Sequence, residues 1–151
     1  MEIRREGYAS AAAQSLVQAS VAEMLQRYDG RGGSGAEPRT AEFESPAGAF
    51  LVGFEGEAPV ACGGICRYDD ATGEIRRMYV ARDQRGGGLS HQILRALEEE
   101  ARALGYGAIR LETGNRQPEA VGLYRSAGYE PIPRYGPYVD DERSLCFEKR
   151  L

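Results

Sequence analysis

The stretch that decides the fold is Met78-Tyr79-Val80-Ala81-Arg82-Asp83-Gln84-Arg85-Gly86-Gly87-Gly88-Leu89-Ser90-His91. It begins with the apolar end of a strand-like run. After the glycines, apolar side chains recur at helical spacing, namely Leu89, Ile93, Leu94, Leu97, Ala101 and Leu104. The three glycines therefore lie where a strand passes into a helix.

A glycine turn at the start of a helix predicts an anion site. The first helical turn has backbone N–H groups without partners and the positive end of the helix dipole. Glycine lets a phosphate approach the backbone, and Arg82 and Arg85 add positive charge. The alternative interpretation is a flexible turn that binds nothing.

Two common phosphate loops do not match this stretch. A Walker-type loop needs Lys and then Ser or Thr after its last glycine, whereas Gly88 is followed by Leu89 and Ser90. A dinucleotide loop spreads three glycines over six positions, and the glycines here are contiguous.

The remaining pattern, Arg85-x-x-Gly88-x-Ser90, resembles the pyrophosphate-binding signature of the GNAT superfamily of N-acetyltransferases. That signature is Gln or Arg, two residues, Gly, one residue, and Gly or Ala, so Ser90 is a mild departure. Leu123-Tyr124-x-x-x-Gly128-Tyr129 is similar to a second motif of the family, Leu-Tyr-x-x-x-Gly-Phe. The resemblance is carried by the order of four features: the strand 74–80, which looks like the family's fourth strand, the glycine loop, a strand at 109–113 and the Leu-Tyr motif. It covers about residues 49–151.

The pattern along the chain predicts one domain, residues 1–151, of the α/β class. The resemblance implies a GNAT-like fold: a mixed, mostly antiparallel sheet of six to seven strands flanked by about four helices. Helices are predicted at 10–28, with a break around Ser20, at 90–104 and at 117–127. Strands are predicted at 49–54, 59–67, 74–80, 109–112, around Ile132 and at 144–148, and a flexible Gly-rich loop at 29–46.

Composition excludes several functions. The net charge of −4 and a pI near 5.2 leave no basic footprint for nucleic acid or an anionic membrane. No apolar run has the length of a membrane span, and the first six residues lack the apolar core of a signal peptide. We therefore expect a cytoplasmic protein.

The cysteines and the single histidine limit the chemistry further. Cys62, Cys66 and Cys146 are an odd number and are expected to be free, buried thiols. His91 is the only histidine, so a metal site built on several histidines is excluded and no metal is expected. His91 itself is expected to be solvated or beside a phosphate.

The resemblance implies acetyl-CoA as co-substrate and assigns residues to it. The strand Met78, Tyr79 and Val80 would pair with the pantetheine arm. Tyr124 would donate a proton to the sulfur, although a Tyr on the apolar face of a short helix is also a normal core residue. Gln117 stands where the family usually has a cofactor-contacting Asn. The pyrophosphate would be held by Arg85, Gly86, Gly87, Gly88, Leu89 and Ser90.

Amide formation needs a free amine, and a primary alkyl amine with a pKa of about 10.4 is mostly protonated at neutral pH. Glu74 is the candidate base, because the family's histone-acetylating branch has a Glu six residues before the strand's last aliphatic residue, here Val80. The alternative role of Glu74 is an exposed carboxylate paired with Arg76 or Arg77.

The acceptor side is predicted at the loops 29–46 and 135–143. Aromatic and acidic residues there suit a cation, so a small-molecule amine is favoured; they are Tyr135, Tyr138, Glu37, Glu42, Glu44, Asp140, Asp141 and Glu142. Solvated acidic loops are the alternative. A protein or peptide N-acetyltransferase, a non-catalytic acyl-CoA sensor and a nucleotide-binding module are the rival functions. A homodimer is a further possible assembly.

Overall fold

The computed structural model covers residues 1–151 and contains seven strands and three α-helices. Three short 3₁₀ helices lie at Thr40–Phe43, Arg82–Gln84 and Gly136–Tyr138. The main elements are β1 (Glu2–Arg5), α1 (Ala11–Arg27), β2 (Ala49–Glu55), β3 (Ala58–Arg67), β4 (Thr72–Val80), α2 (Leu89–Ala103), β5 (Ala108–Gly114), α3 (Pro118–Ser126), β6 (Glu130–Ile132) and β7 (Ser144–Arg150).

The strands form one sheet in the order β1-β2-β3-β4-β5-β7-β6. All neighbours are antiparallel except β4 and β5, which are parallel. The predicted mixed, mostly antiparallel sheet is therefore confirmed. The parallel pairing runs only from Thr72 opposite Ala108 to Glu74 opposite Arg110. We call the gap beyond that point, between residues 75–80 and 111–114, the fork.

The sheet has a hydrophobic core on each face. Helices α2 and α3 cover one face, where their side chains pack on Ile75, Ile109, Leu111 and Phe147. Helix α1 covers the other face, where it packs on Phe50, Val52, Cys62 and Cys66. Alternation along the strands explains this division, because successive side chains point to opposite faces.

Strand β4 contains a bulge that breaks this alternation. Arg77 has a positive φ of 61°, and the register with β3 shifts between Cys62 and Gly64. Ile75 and Met78 consequently both contact the α2 core, which strict alternation would forbid. Backbone outliers of this kind concentrate at functional sites.

Two sequence predictions about the N-terminal part differ from the structure. Helix α1 is continuous through Ser20, which is only 8 % exposed on the packed side of the helix, so three helices flank the sheet rather than about four. Strand β1 was not predicted, because Ile3 is its one apolar residue and gives no alternation to detect. It is held at the sheet edge by pairing with β2.

Candidate active site

A cleft of about 380 Å³ opens at the fork. Its walls come from β4, the glycine loop, β5, α3 and α1, which meet only in the folded chain. The residues that line it include Glu23, Ile75, Arg76, Arg77, Met78, Tyr79, Val80, Arg85, Gly86, Gly88, Leu89, Ser90, Glu112, Thr113, Gln117, Leu123 and Tyr124. The structure thus brings together every predicted cofactor residue except Gly87, which does not line the cleft.

The glycine loop has the geometry of an anion site. Gly88 is the N-cap of α2 with φ 82°, and Gly86 has φ 89°, backbone that favours glycine. No side chain caps the helix, and a Cβ built on Gly86, Gly87 or Gly88 meets no heavy atom within 4 Å. The start of α2 therefore has space beside it for an anionic group.

The guanidinium of Arg85 is held by the chain itself. It donates to the carbonyl oxygen of Val80 at 3.0 Å and to both carboxylate oxygens of Glu23 at 2.9 and 3.0 Å. Glu23 also accepts from Arg82 at 3.2 Å and from Arg27 at 3.4 Å. One buried carboxylate of α1 thereby fixes the loop that precedes α2, and Arg85 orients the loop as well as adding charge.

The chemistry of Glu23 follows from these partners. Burial would raise the pKa of this carboxyl, but the guanidinium groups of Arg85, Arg82 and Arg27 outweigh burial and lower its pKa below the ordinary value. Glu23 is 7 % exposed and lines the cleft, so an unneutralised charge there would repel an anion. The three arginines keep the cleft suitable for a phosphate.

Tyr124 lies at the other side of the cleft, on α3. Its ring packs at 5.7 Å from Tyr129 and 6.4 Å from Phe147, so it does belong to the core. Its hydroxyl is directed at the sulfur of Met78, at 3.5 Å. Burial, together with the charge of Glu112, raises the pKa of Tyr124, so the phenol keeps its proton at neutral pH. A thioether is a weak acceptor, which leaves this proton available.

Gln117 also lines the cleft, but its amide oxygen is already used. It accepts from the N–H of Gly114 at 3.0 Å and from the hydroxyl of Tyr28 at 3.3 Å. The side chain thus ties the end of β5 to the start of α3. The predicted contact of Gln117 with a cofactor stays a prediction.

Glu74 lies on the face of the sheet that carries the acceptor loops and is not among the residues lining the cleft. Its carboxylate accepts a hydrogen bond from the hydroxyl of Tyr135 at 2.6 Å. The arginines considered as its partners bind elsewhere: Arg76 donates to the carbonyl oxygen of Ala36 at 2.7 Å, and Arg77 to Glu37 at 2.5 Å.

Glu112 is a carboxylate of the cleft that the sequence analysis missed. It lies on β5, two residues beyond Arg110, and accepts from the hydroxyl of Ser144 at 2.6 Å. Burial raises the pKa of Glu112, and the nearby carboxylates of Asp141 and Glu74 add to the rise. The alternation of Ile109 and Leu111 with polar residues predicts that Glu112 faces away from the side chains of Ile109 and Leu111. The sequence alone does not show that Glu112 lies at the fork.

The acidic residues of the predicted acceptor loops have other roles. Glu37 binds Arg77, Asp141 binds Arg143 and Ser34, and Glu42 accepts from the N–H of Arg39. None of the six predicted acidic residues lines the cleft. Glu37, Glu42 and Asp141 hold loops in place, whereas Glu44, Asp140 and Glu142 are exposed, and the six do not form an acidic rim around the cleft.

The cysteines and the single histidine lie where the sequence analysis expected them. Cys62, Cys66 and Cys146 are free and buried, and His91 is exposed on the first turn of α2. No group of three or more His, Cys, Asp or Glu side chains is placed to hold a metal ion. None of the helices has the length and apolar character required to span a bilayer.

Comparison with known proteins identifies the class. Residues 19–129 match the family described as Acetyltransferase (GNAT) family. An IAA acetyltransferase of Azospirillum brasilense is 40 % identical over 103 residues, which are 68 % of this chain and 67 % of that protein. These matches identify an acyl-CoA-dependent acetyltransferase. The chain belongs to the GNAT family of acetyltransferases.

Solved structures agree with this fold. A candidate acyl-CoA N-acyltransferase from Klebsiella pneumoniae subsp. pneumoniae superposes with a TM-score of 0.85 at 27 % identity, covering 99 % of this chain and 97 % of that one. A GNAT acetyltransferase from Elizabethkingia anophelis with acetyl-CoA bound gives a TM-score of 0.71 at 16 % identity, covering 99 % and 97 %. Enzymes of the family use acetyl-CoA or CoA as co-substrate.

We predict that Glu23→Gln destabilises the protein in a pH-dependent way. The pKa of Glu23 is lowered on folding, so its contribution is complete above the unfolded value of about 4.3 and is lost as the pH falls through the folded value. The free energy of unfolding should drop by about 1.5 to 3 kcal/mol at pH 7, the range for hydrogen bonds to charged groups. Urea denaturation at pH 7, 5 and 3.5 measures it.

The matched control is Glu99→Gln, because Glu99 is an exposed carboxylate on α2 with no ion pair. It should change the stability little at any pH. A loss for Glu23→Gln that is the same at pH 3.5 and pH 7 would contradict the assignment, since packing would then explain the effect.

Proposed function

We propose that this protein transfers the acetyl group of acetyl-CoA directly to the primary amine of a small molecule. One observation carries the proposal: the fork places a glycine loop, a protonated phenol at Tyr124 and a carboxylate of raised pKa at Glu112 around the same cleft. The removal of a proton from the amine and the donation of a proton to the leaving sulfur can therefore both occur in this cleft.

The cleft fits a coenzyme A thioester in shape and chemistry. The empty volume beside Gly86 and Gly88 and the unpaired start of α2 suit a pyrophosphate. The strand Met78 to Val80 leads from that loop to the fork and has no parallel partner on the β5 side. It can therefore pair with an extended amide-containing arm, as an added strand would.

The carboxylates supply the base. The amine must lose a proton before its nitrogen forms the C–N bond with the thioester carbonyl carbon. Glu112 supports this role better than Glu74, because it lines the cleft while Glu74 is bound by Tyr135. A raised pKa brings Glu112 towards the pH at which it acts, which improves a general base. Glu74, on the neighbouring strand, is the second candidate.

Tyr124 supplies the acid. When the C–S bond breaks, the electron pair stays on sulfur, and the thiolate takes a proton. The hydroxyl of Tyr124 is directed at the sulfur of Met78 within the cleft, where the sulfur of a thioester would lie close to it. The phenolate formed would recover its proton from solvent after release of the thiol.

The acceptor side supports a small molecule over a peptide. Residues 29–46 and 136–143 cross that side and are joined to each other, since Ser34 donates to Asp141 at 2.5 Å and Arg143 donates to the carbonyl oxygen of Gly32 at 3.0 Å. Loops tied to each other in this way favour a compact acceptor over an extended chain. Turnover with peptides alone, in a panel of amines, amino acids, aminoglycosides, polyamines and peptides, would instead favour a protein acetyltransferase.

A non-catalytic sensor is the rival from another class. It would have no need for the Tyr124 phenol or the Glu112 carboxylate at the fork. Thiol release from acetyl-CoA in the presence of an acceptor separates the two functions, and calorimetry with ATP and NAD tests a nucleotide-binding module.

Glu112→Gln should lower turnover by roughly 10²- to 10⁴-fold at neutral pH, because it removes one proton-transfer group. Part of the loss should return at pH 9 to 10, where more of the amine is free. Thiol release at saturating acetyl-CoA across pH 6 to 10 measures this. Glu74→Gln is the companion variant. If it loses the activity while Glu112→Gln keeps it, the base is Glu74.

Tyr124→Phe keeps the ring that packs on Tyr129 and Phe147 and removes only the hydroxyl. Affinity for acetyl-CoA should change little, while turnover should fall by roughly 10²-fold or more, the lower end for a lost proton donor. Calorimetry and steady-state rates together measure both quantities. Unchanged turnover would leave the thiolate to take its proton from water.

Gly88→Ala should weaken acetyl-CoA binding by roughly 10-fold or more, because a Cβ at φ 82° strains the turn and enters the space proposed for the pyrophosphate. Gly87→Ala is the matched control, since Gly87 has open space, no positive φ and no place in the cleft wall. Calorimetric titration gives both dissociation constants. Equal losses in the two variants would contradict the assigned orientation of the loop.

A further inference from the structure

The fork carries two opposite charges at matching positions. Pairing of β4 with β5 ends at Glu74 opposite Arg110, and Arg76 and Glu112 each lie two residues farther along their strands. They are therefore on the same face of the sheet and at the same level, one on each side of the fork. Both line the cleft. They form no salt bridge with each other, so a molecule between them meets both charges.

Arg76 differs from the other arginines of the cleft. Arg77 is bound to Glu37, and Arg85 is bound to Glu23. Arg76 donates one hydrogen bond, to the carbonyl oxygen of Ala36, and makes no salt bridge within the chain. The cleft therefore contains one guanidinium whose charge the protein itself does not neutralise.

The position of Arg76 is fixed despite this free charge. Gly35 packs so closely that a Cβ there would lie 3.2 Å from Nη2 of Arg76 and 2.7 Å from the hydroxyl of Tyr138. The side chain is thus held between the 29–46 loop and Tyr138, and it stays beside the fork. A guanidinium held in this way is preorganised for a carboxylate, which it can bind through two parallel hydrogen bonds.

Charge then selects among amines. A simple amine has a positive charge that suits Glu112 and is repelled by Arg76. A zwitterion satisfies both groups, because its ammonium pairs with Glu112 and its carboxylate pairs with Arg76. Neighbouring strands lie about 4.8 Å apart where they pair, and the fork widens from there. A small molecule that carries both an ammonium and a carboxylate can therefore meet a group on each side of the fork.

We propose that the acceptor is an α-amino acid whose carboxylate is bound by Arg76. This inference rests on the function proposed above. The ammonium gives one proton to Glu112, and the neutral nitrogen forms a bond with the acetyl carbonyl carbon. The C–S bond then breaks, the sulfur takes the proton of Tyr124, and the nitrogen releases its second proton to solvent as the amide forms. The carboxylate is unchanged. The products are an N-acetyl amino acid and coenzyme A.

The acidic residues of the two loops were expected to favour a purely cationic acceptor, and the structure does not support that expectation. Of the loop carboxylates expected to attract a cation, Glu37 is paired with Arg77 and Asp141 with Arg143, and none of the six lines the cleft. What remains open at the fork is one base and one guanidinium. The acceptor is therefore expected to have no net charge at its reacting end.

The test compares acceptors that differ only in the carboxylate. Thiol release is measured at pH 8 with alanine, leucine, phenylalanine and tyrosine, and with the amines that remain after their decarboxylation. We expect kcat/KM to be roughly 10- to 100-fold higher for amino acids, the range of one charged hydrogen-bonded contact. Arg76→Gln should remove this preference, mainly through a raised KM for the amino acids.

Two further variants control for loop damage. Arg76→Lys keeps the charge and a donor for the carbonyl of Ala36 but loses the two-pronged geometry, so it should recover part of the preference. Arg95→Gln removes an exposed arginine of α2 outside the cleft and should behave as wild type.

The outcomes separate the two proposals. Amines acetylated as well as their parent amino acids by the wild type, or an Arg76→Gln variant that slows both sets equally, would overturn the amino-acid inference and leave the acetyltransferase proposal standing. No thiol release with any amine, amino acid or peptide would overturn the proposed function as well.

Discussion

The early end of pairing between β4 and β5 is the constraint on which the site depends. Three residues of each strand pair, and the strands then separate. Backbone groups that lose a partner must find another one or face solvent, so the separated edge of β4 is suited to an extended ligand. The bulge at Arg77 acts at the same place, since it turns Met78 towards the α2 core and leaves Arg76 on the acceptor face. A fully paired β4 and β5 would have no cleft.

A buried ion pair links the elements on the two faces of the sheet. Helix α1 covers one face and α2 the other, yet Glu23 of α1 binds Arg85 of the loop that begins α2. A buried carboxylate is costly unless it is paired and hydrogen-bonded, and here three arginines satisfy that requirement. Helix α1 and the glycine loop are therefore joined by one cluster of ion pairs.

The sequence predicted what local signals can determine. Contiguous glycines and helical spacing after Leu89 located the loop and α2, and the GNAT resemblance supplied the mixed, mostly antiparallel sheet. The sequence could not show which residues of neighbouring strands lie opposite each other. That Glu112 lies level with Arg76, that Glu74 is bound by Tyr135 and that Glu23 reaches Arg85 are facts about residues 36 to 62 positions apart. No propensity or periodicity encodes such distances.

Register also explains why the carboxylates of Glu74 and Glu112 have different surroundings. Glu74 and Glu112 lie on neighbouring strands and on one face, but Glu74 is at the last paired position and Glu112 is beyond it. The paired position is covered by Tyr135, which donates to Glu74 and holds it as an acceptor. Beyond the pairing, Glu112 has one hydroxyl partner, from Ser144, and an open side towards the cleft. Burial raises the pKa of Glu112, and the negative charge of Glu74 adds to that rise. The carboxylate that Tyr135 holds thus helps to raise the pKa of the carboxylate that faces the cleft.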